Sequence, residues 1–497
     1  MRLAFFGIGG YYEKSAACNI FIAACSAVWG KMEIYMFIGR ETEIQVLEEH
    51  YRSDRFEFAV VYGRRRVGKT TLIREFAENK DCVYYMAVEG TAHENLLGLS
   101  RALIGGNNME SDGISYESFS ALLDAVDRLC KSKGRWILAI DEYPYLAASY
   151  PAVTSMIQKH IDLCWKESRM FLVLCGSSMS FMENQVLGYK SPLYGRRSMQ
   201  CRLKPFTYFE AGKMLEAWPG EDRVLLYGIT GGIPDYLDRL NPEQNAQDNI
   251  RTLFFRENGH MYEEPVNLLK QELKDPASYH SILTAIASGA CKMNEISQKA
   301  GLESSGCSNQ IASLISLGIV RKEVPVTEKE TSRKTRYFLN DGMFRFWYRF
   351  VRSNQGSISM GLGDIVFEKL VRPQISDYLG QVFEEICRQY LFLPEVCTSF
   401  PFLYTKVGRW WGNNPYEKRQ EEVDLAALGE DAVLLGECKW RNERVSISVL
   451  QTLLRRGRLF PEKEKIYCVF SKSGFEKEVS DFAAQHDIRL ISFTDMG

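Results

Sequence analysis

The strongest constraint on the fold of this chain is one glycine-rich octapeptide. It matches the pattern GxxxxGK[ST], lies between an apolar run at 56–62 and an amphipathic stretch at 69–79, and reads Gly63-Arg64-Arg65-Arg66-Val67-Gly68-Lys69-Thr70. Glycines let backbone N–H groups close around a phosphate, and the positive end of the following helix points at the same place. The pattern therefore predicts a phosphate-binding loop between a buried strand and a helix.

The side chains of this loop have predicted roles in holding a nucleoside triphosphate. Lys69 is expected to reach the β- and γ-phosphates, which places it among the catalytic residues, and the Thr70 hydroxyl is expected to ligate Mg²⁺. The other predicted nucleotide contacts in the loop are Gly63, Arg66, Val67, Gly68 and Thr71. The predicted cofactors are accordingly ATP and Mg²⁺.

A second apolar run, at 136–140, ends in two neighbouring acids, Asp141 and Glu142. Asp141 is predicted to hold Mg²⁺ through water, and Glu142, which points differently, is predicted to polarise the attacking water. From 37 to about 203, short apolar runs alternate with amphipathic helices, which predicts an α/β fold with a parallel sheet covered on both faces. Together these features predict a P-loop enzyme that hydrolyses ATP.

Composition adds limits on the class of protein. The 497 residues are enough for about three or four domains. Lys and Arg total 61 and Asp and Glu 63, so the formal net charge of −2 identifies no nucleic-acid or membrane partner. The 13 cysteines include no CxxC pair, which argues against a disulfide framework or zinc module and favours a reducing, cytoplasmic location. The sequence has no apolar run near the ~18–20 residues of a membrane span.

Residues 1–35 are predicted to be an extension outside the folded domains. The stretch 16–29 is apolar and rich in small residues, and Ile22-Ala23-Ala24-Cys25 looks like a lipoprotein cleavage box. Export would separate the rest of the chain from ATP. We therefore favour an extension, or upstream sequence before a start at Met32 or Met36.

Three segments together carry a family resemblance. The box Phe37-Ile38-Gly39-Arg40-Glu41, the phosphate loop and the pair Asp141-Glu142 resemble the archaeal-type ATPase family, in the AAA+/STAND branch of P-loop NTPases. The resemblance implies that the box helps enclose the adenine, through Phe37, Gly39 and Arg40. It also implies a helical lid that closes over the nucleotide.

The same resemblance implies roles for three later residues. Ser177, in a segment that looks like the sensor strand of the family, is expected near the γ-phosphate. Arg196, in a segment that resembles the arginine box, is expected to stabilise transition-state charge, within one chain or across a subunit interface. Pro234 completes Gly232-Ile233-Pro234, which looks like the GxP motif of the lid. The alternatives are a solvated loop for Arg196 and a simple helix break for Pro234.

The C-terminal region has Phe383-Glu384 on a predicted helix, Glu422-Val423-Asp424 on one predicted strand and Gly436-Glu437-Cys438-Lys439 on the next. This arrangement resembles a PD-(D/E)XK nuclease-like core. The resemblance implies that Asp424 and Glu437 hold a second Mg²⁺, that Lys439 positions or activates water, and that Glu384 adds a ligand or orients the site. If the hairpin turn is Glu430-Asp431, paired residue numbers add to 861, so Asp424, Glu437 and Lys439 share one face. A turn one residue longer would separate the acids. A nuclease-like fold without activity, or surface charges on a hairpin, remains the alternative.

Between the ATPase core and this region the sequence predicts three helices followed by a hairpin, which resembles a winged helix. The third helix has no Arg or Lys, and the hairpin carries Lys322, Lys329, Arg333, Lys334 and Arg336. DNA contact and a protein-contact or spacer role both stay open. The predicted domains are an ATPase core at 36–205, a helical lid at 206–272, a winged helix at 273–345, a linker at 346–372 and the nuclease-like domain at 373–497.

The favoured function is an ATP-hydrolysing molecular switch that controls a C-terminal effector. One alternative is an ATP-regulated, Mg²⁺-dependent nuclease acting on DNA or RNA. Another is a non-catalytic signalling or assembly module. The expected partners are ATP and, as open alternatives, DNA, RNA, a second copy of the chain or another protein, with no membrane.

Overall fold

The computed structural model describes residues 37–105, 115–273, 275–462 and 464–496. The extension predicted at 1–35 lies outside these residues. The chain divides into two compact units, one ending at Lys204 and the other beginning at Pro205, and each is described by itself. Across the described ranges, no helix has both the length and the apolar character needed to cross a bilayer.

Parallel strands form the sheet of the first unit, and their order is β2-β3-β4-β1-β5. They are β1 (Glu57–Tyr62), β2 (Cys82–Met86), β3 (Trp136–Asp141), β4 (Met170–Gly176) and β5 (Met199–Arg202). Strands β1, β3 and β4 are buried along their whole length, as parallel strands covered on both faces should be. The predicted parallel α/β sheet is confirmed. Strand β4 lies between the strand before the phosphate loop and the strand that ends in Asp141.

Helices of the first unit alternate with these strands. They are α1 (Glu41–Arg52), α2 (Lys69–Ala77), α3 (Ala92–Gly105), α4 (Phe119–Ser132), α5 (Tyr143–Ser149) and α6 (Val153–Leu163), with helical turns at Trp165–Glu167, Met179–Phe181 and Met182–Val186. Helix α4 begins where the Ser118 side chain accepts a hydrogen bond from Ala121 N. Its apolar residues recur every three or four positions and are buried, namely Phe119, Leu122, Leu123, Val126 and Cys130.

The second unit begins with helices, as predicted for 206–272, and continues with three more helices and a hairpin. The helices are α7 (Tyr208–Ala211), α8 (Gly220–Thr230), α9 (Pro234–Leu237), α10 (Ala246–Phe254), α11 (Glu264–Glu272), α12 (Pro276–Ala287), α13 (Met293–Ala300) and α14 (Ser304–Ser316), with a turn at Gly212–Met214. Strands β6 (Val320–Glu323) and β7 (Arg336–Leu339) pair antiparallel. The order of three helices and a hairpin agrees with the sequence pattern.

The segment predicted as a linker, 346–372, is instead helical and packed. Its helices are α15 (Gly342–Phe346) and α16 (Gly363–Val366), with helical turns at Trp347–Val351, Arg352–Asn354, Gln355–Ser357, Ile358–Leu362, Phe367–Val371 and Arg372–Gln374. Trp347 is buried and its Nε1 donates to Tyr262 O at 2.7 Å. Gly363 is buried against Phe255 O. At Gly363 the absence of a side chain lets two helical segments approach closely.

The second sheet has the order β12-β11-β10-β9-β8. Its strands are β8 (Lys406–Asn414), β9 (Arg419–Leu428), β10 (Ala432–Lys439), β11 (Glu464–Ser471) and β12 (Ile488–Ser492). The pairs β8–β9 and β9–β10 are antiparallel, and β10, β11 and β12 are parallel. The associated helices are α17 (Ile375–Tyr390), α18 (Pro394–Cys397), α19 (Ile447–Gly457) and α20 (Lys477–Gln485), with a final turn at Phe493–Asp495. The second unit therefore contains a separate α/β sheet.

The β6–β7 hairpin packs on the outer strand of this sheet. Val326, in the loop of the hairpin, donates its backbone N–H to Arg409 O at 2.9 Å. The Val326 side chain is 2% exposed and belongs to the apolar core of the second sheet. Arg336 stacks on Trp411, with its guanidinium carbon 4.5 Å from the ring centroid, and pairs with Glu422 at 3.5 Å. The hairpin thus covers the edge of β8, which would otherwise present unpaired backbone groups.

Candidate functional site

The phosphate loop connects β1 to α2 and adopts the backbone geometry that its sequence predicts. Gly68, the residue before α2, has φ 88°, in the left-handed region that glycine enters without a Cβ penalty. Arg66 also has a positive φ, of 69°. The Lys69 side chain is 6% exposed, and its Nζ donates to Arg64 O at 3.0 Å across the loop. The ammonium is therefore held inside the curve of the loop where phosphate oxygens are expected.

The Asp141 carboxylate lies at the end of β3, fully buried, and accepts three hydrogen bonds. Thr70 Oγ1 donates to Oδ2 at 2.7 Å, and Tyr84 OH donates to the same oxygen at 2.8 Å. The backbone N–H of Glu142 donates to Oδ1 at 2.8 Å. The structure thus brings together the two residues predicted to hold Mg²⁺, and their oxygen atoms suit that hard cation. Sequence analysis missed Tyr84, which had no motif to mark it.

Glu142 directly follows β3 and has the left-handed conformation φ 48°, ψ 41°. Its carboxylate accepts hydrogen bonds from Ser177 Oγ at 2.8 Å and from Ser177 N at 3.2 Å. Ser177 follows β4, which lies between β1 and β3. The strand order therefore places the predicted base and the predicted sensor next to each other, beside the phosphate loop.

The N-terminal box contacts the loop through one arginine. Arg40 is 6% exposed, and its Nη2 donates to Val67 O at 3.2 Å and also to Lys204 O. Gly39 is buried, and Phe37 is half-buried beside a cavity of about 380 Å³ on α1. The box is therefore tied to the phosphate loop, and its predicted adenine contact stays a prediction.

Arg196 has a set of contacts on α6. Its Nη2 and Nε bind Asp162, the shortest distance being 2.6 Å, and its Nη1 donates to Pro192 O at 2.9 Å. Hydrogen bonds from Arg196 and then Lys166 lower the pKa of Asp162 to about 2. These contacts do not bring Arg196 to Lys69 or Glu142, so its catalytic role stays a prediction. Pro234 begins α9 in the second unit, and its nucleotide contact likewise stays a prediction.

A second cluster of charged residues lies where β9 and β10 pair. The pairs Leu428–Val433 and Leu425–Gly436 give residue numbers that add to 861, which confirms the predicted hairpin register. Lys439 Nζ lies 2.5 Å from Glu437 Oε1 and 3.9 Å from Asp424 Oδ2. An ammonium thus stands between two carboxylates, as a bound cation would. The oxygen donors fit a hard divalent ion.

Burial shapes the electrostatics of this cluster. Burial, followed by repulsion from Glu437 and Glu384, raises the pKa of Asp424 to about 7. Burial also raises the pKa of Glu384, although the paired Arg409 on β8 opposes it. Burial lowers the pKa of Lys439, but Glu437 and Asp424 outweigh that effect and raise it. Burial and the neighbouring carboxylates therefore disfavour the ionised form of Asp424, and a cation bound beside it would favour that form.

Two arginines of this cluster were missed at the sequence level. Arg409 pairs with Glu384, and Arg456 Nη1 donates to Glu437 Oε2 at 2.9 Å. Arg456 Nε also donates to the buried Glu421 at 2.9 Å. They lie on segments far from the carboxylates in sequence, so no spacing rule connects them.

Another group of three metal-ligand side chains occurs among the described residues: Asp124, Asp127 and His160, with ligand atoms within 4.8 Å of one another. His160 Nδ1 lies 2.9 Å from Asp127 Oδ1, and Trp165 Nε1 donates to the same oxygen at 2.7 Å. These bonds join α4 to the end of α6. The group is accounted for as a structural hydrogen-bond network.

Two regions of the chain match known protein families. Residues 37–240 match the family described as an ATPase domain predominantly from Archaea, and residues 347–450 match one described as Archaea bacterial proteins of unknown function. The uncharacterized protein MJECL04 of Methanocaldococcus jannaschii is 32% identical over 452 residues, covering 90% of this chain and 98% of that protein. From the same organism, the uncharacterized ATP-binding protein MJ0423 is 47% identical over 47 residues, covering 10% of this chain and 80% of that protein.

Solved structures are similar at lower identity. The Walker-type ATPase PABY2304 of Pyrococcus abyssi is 18% identical with a TM-score of 0.49, covering 64% of this chain and 98% of that one. The ORC2 protein of Aeropyrum pernix is 14% identical with a TM-score of 0.43, covering 66% and 98%. Because the MJECL04 match spans nearly the whole chain, the protein belongs to the same family as MJECL04, and its residues 37–240, which include the phosphate loop, carry the ATPase domain described as predominantly from Archaea.

Proposed function

We propose that the chain is a Mg²⁺-dependent ATP hydrolase that acts as a molecular switch for its C-terminal region. The observation that carries the proposal is the network of Thr70, Asp141, Glu142 and Ser177, gathered from α2 and the ends of β3 and β4. Mg²⁺, held by Thr70 and Asp141, would supply positive charge to the phosphates. Lys69 would leave Arg64 O to bind phosphate oxygens.

Hydrolysis requires a water to attack the γ-phosphorus while the bond to the leaving ADP oxygen breaks. Glu142 is the proposed group that orients this water and accepts its proton. In the structure Ser177 donates two hydrogen bonds to one oxygen of this carboxylate, Oε2. These bonds link the end of β4 to the proposed base.

Substitution of Lys69 tests the site. Lys69→Ala is expected to abolish ATP turnover, because the loop then lacks the cation that faces the β- and γ-phosphates. Glu142→Gln is expected to keep ATP binding and to lower turnover by about 100-fold or more. Lys133→Ala, which removes a surface ion pair with Asp81, serves as the control. Turnover that is unchanged in Lys69→Ala would refute the site assignment.

The switch itself is tested by hydrogen exchange of the second unit. In Glu142→Gln, which traps ATP, the exchange pattern of residues 205–497 is expected to differ between ATP and ADP. The Lys69→Ala variant should show no such difference. An exchange pattern that is identical with ATP and with ADP would refute the proposed switch role and leave only the proposed ATPase activity.

A second candidate function, Mg²⁺-dependent cleavage of DNA or RNA, is supported by the cluster of Asp424, Glu437 and Lys439. The shared face and the raised pKa of Asp424 favour a bound cation there, and Lys439 would then be free to orient water. Cleavage is expected to be lost in Asp424→Asn and Lys439→Ala but kept in Asp431→Asn, a change in the exposed turn of the same hairpin. Absence of cleavage on single- and double-stranded DNA and RNA would favour a binding role.

The proposed winged helix, α12–α14 with the β6–β7 hairpin, has few free cations to offer a nucleic acid. Lys334 pairs with Glu328 and Arg336 with Glu422, while Lys322 donates to Glu330 O. These contacts favour the protein-contact alternative. If the module binds DNA, its affinity for DNA should fall as the salt concentration rises. The affinity should also fall in the double variant Arg333→Ala with Lys334→Ala. Binding that does not depend on salt would exclude phosphate contacts.

A further inference from the structure

If the Asp141 carboxylate is to keep its orientation when Mg²⁺ binds, it needs a hydrogen-bond donor that does not itself bind the metal. A carboxylate at a strand end is acceptor-only and can rotate, so its position depends on the groups that donate to it. In the structure Oδ2 is shared by Thr70 Oγ1 and Tyr84 OH. Because the Thr70 oxygen is also the expected metal ligand, its geometry must change when the ion arrives. Tyr84 is not an expected metal ligand, so its hydrogen bond to Asp141 can stay when the ion binds.

Tyr84 reaches Asp141 from the edge of the sheet because of strand register. In the β2–β3 pair, Met86 lies opposite Asp141, and Tyr84 lies opposite Ala139. Side chains two residues apart share one face of a sheet, and a diagonal neighbour is within reach of a long aromatic side chain. Met86 cannot donate a hydrogen bond. The Tyr84 phenol is therefore the side-chain donor that β2 supplies to this carboxylate.

The phenol remains a donor across the physiological pH range. A tyrosine phenol has an ordinary pKa of about 10, so it stays protonated at neutral pH. The opposite oxygen, Oδ1, is held by the backbone N–H of Glu142. Asp141 is thus fixed at both oxygens by groups that do not bind the metal.

We propose that Tyr84 is a positioning residue that holds Asp141 in the orientation required for Mg²⁺. The proposal rests on the proposed ATPase function, and it concerns only the metal-dependent part of nucleotide binding. Supporting partners of metal ligands typically change metal affinity by about 10- to 100-fold when removed. Tyr84 is expected to act at the lower end of that range, because Glu142 N still holds Oδ1.

The chain offers a matched control on the same strand. Tyr85 is the next residue, it is buried, and its hydroxyl donates to Asn95 Oδ1 at 2.8 Å on the other face. Tyr84→Phe and Tyr85→Phe therefore each remove one hydrogen-bonded phenol hydroxyl from β2 and keep the aromatic ring. Only the first touches Asp141.

The test measures the affinity of the full chain for a fluorescent ATP analogue with and without Mg²⁺. In Tyr84→Phe the gain in affinity caused by Mg²⁺ is expected to fall about tenfold, while affinity in EDTA is unchanged. Tyr85→Phe should keep the wild-type gain. Lys69→Ala should bind weakly in both conditions.

The outcomes separate the inference from the proposed function. A wild-type Mg²⁺ gain in Tyr84→Phe overturns the inference, even if that variant melts at a lower temperature. If the wild-type chain binds ATP but does not hydrolyse it, the hydrolase proposal is refuted and the Tyr84 test still applies. Absence of nucleotide binding by the wild-type chain overturns both.

Discussion

At the scale of single residues, a buried carboxylate at the start of β1 makes the first unit sensitive to acid. Glu57 is fully buried, and it accepts hydrogen bonds from Ser53 Oγ at 2.8 Å and Arg55 Nε at 3.0 Å. Burial raises the pKa of Glu57, but hydrogen bonds from Ser198, Arg55, His50 and Ser53 outweigh it and lower the pKa to about 2. The ionised form is therefore the one that the fold stabilises.

The pH dependence follows from that direction. Because the pKa is lower in the folded chain than in the unfolded chain, Glu57 contributes stability above about pH 4.5, and this contribution is lost as the pH falls toward about 2. Glu57→Gln is expected to lower the free energy of unfolding at pH 7 by at most about 3 kcal/mol. The variant should also lose part of the stability slope between those pH values. Denaturant unfolding of both proteins from pH 2 to 7 measures this, and identical slopes would contradict the assignment.

Among single residues, sequence motifs mark some members of the two sites and leave others unmarked. Lys69 and Asp141 were predictable because contiguous patterns mark them. Tyr84 and Arg456 were not, since each meets its carboxylate only through strand order or helix packing. A phenol or guanidinium reaches several positions, and the sequence does not say which one it will meet.

At the scale of elements, the helical segment from Gly342 to Tyr390 shows close packing where the sequence suggested a linker. A Cβ on Gly363 would lie 1.8 Å from Phe255 O, a backbone atom that cannot easily move. A Cβ on Gly356, in the same segment, would meet nothing within 4 Å. Close packing therefore requires a glycine at 363 but not at 356.

These glycines predict opposite effects of alanine. Gly363→Ala is expected to destabilise the chain by about 1–3 kcal/mol or more, because the methyl group overpacks a buried contact. Gly356→Ala should be neutral or stabilise by about 0.4–1 kcal/mol, because it reduces the entropy of the unfolded chain in a helical turn. Thermal or denaturant unfolding of both variants checks this. Equal effects would contradict the close packing of Gly363 and favour the predicted linker.

At the scale of the whole molecule, the β6–β7 hairpin and the second sheet share one core within the second unit. The contact of Val326 with β8 joins segments about 80 residues apart. A Cβ on Gly408 would lie 3.7 Å from Val326 Cβ, within the range of natural disulfides. The pair is therefore a site for a covalent test of the contact.

The variant Val326→Cys with Gly408→Cys is expected to form a disulfide on mild oxidation. Closing a loop of about 80 residues should raise the free energy of unfolding by roughly 2–4 kcal/mol over the reduced form of the same protein. Mass spectrometry and melting with and without reductant measure this, with the single variants as controls. Failure to cross-link would show that the hairpin does not rest on β8 in solution.

The sequence alone determined the local machinery: the phosphate loop and the acids at the end of β3. It predicted the register of the β9–β10 hairpin only for a turn at Glu430-Asp431, and the structure confirms that turn. Each depends on contiguous residues, so backbone sterics and the alternation of side chains along a strand are enough to predict it. The tertiary structure alone decided that Tyr84 meets Asp141, that Arg456 meets Glu437, and that the hairpin covers β8. These contacts join distant segments, and their geometry depends on strand order and on the packing of both faces of each sheet.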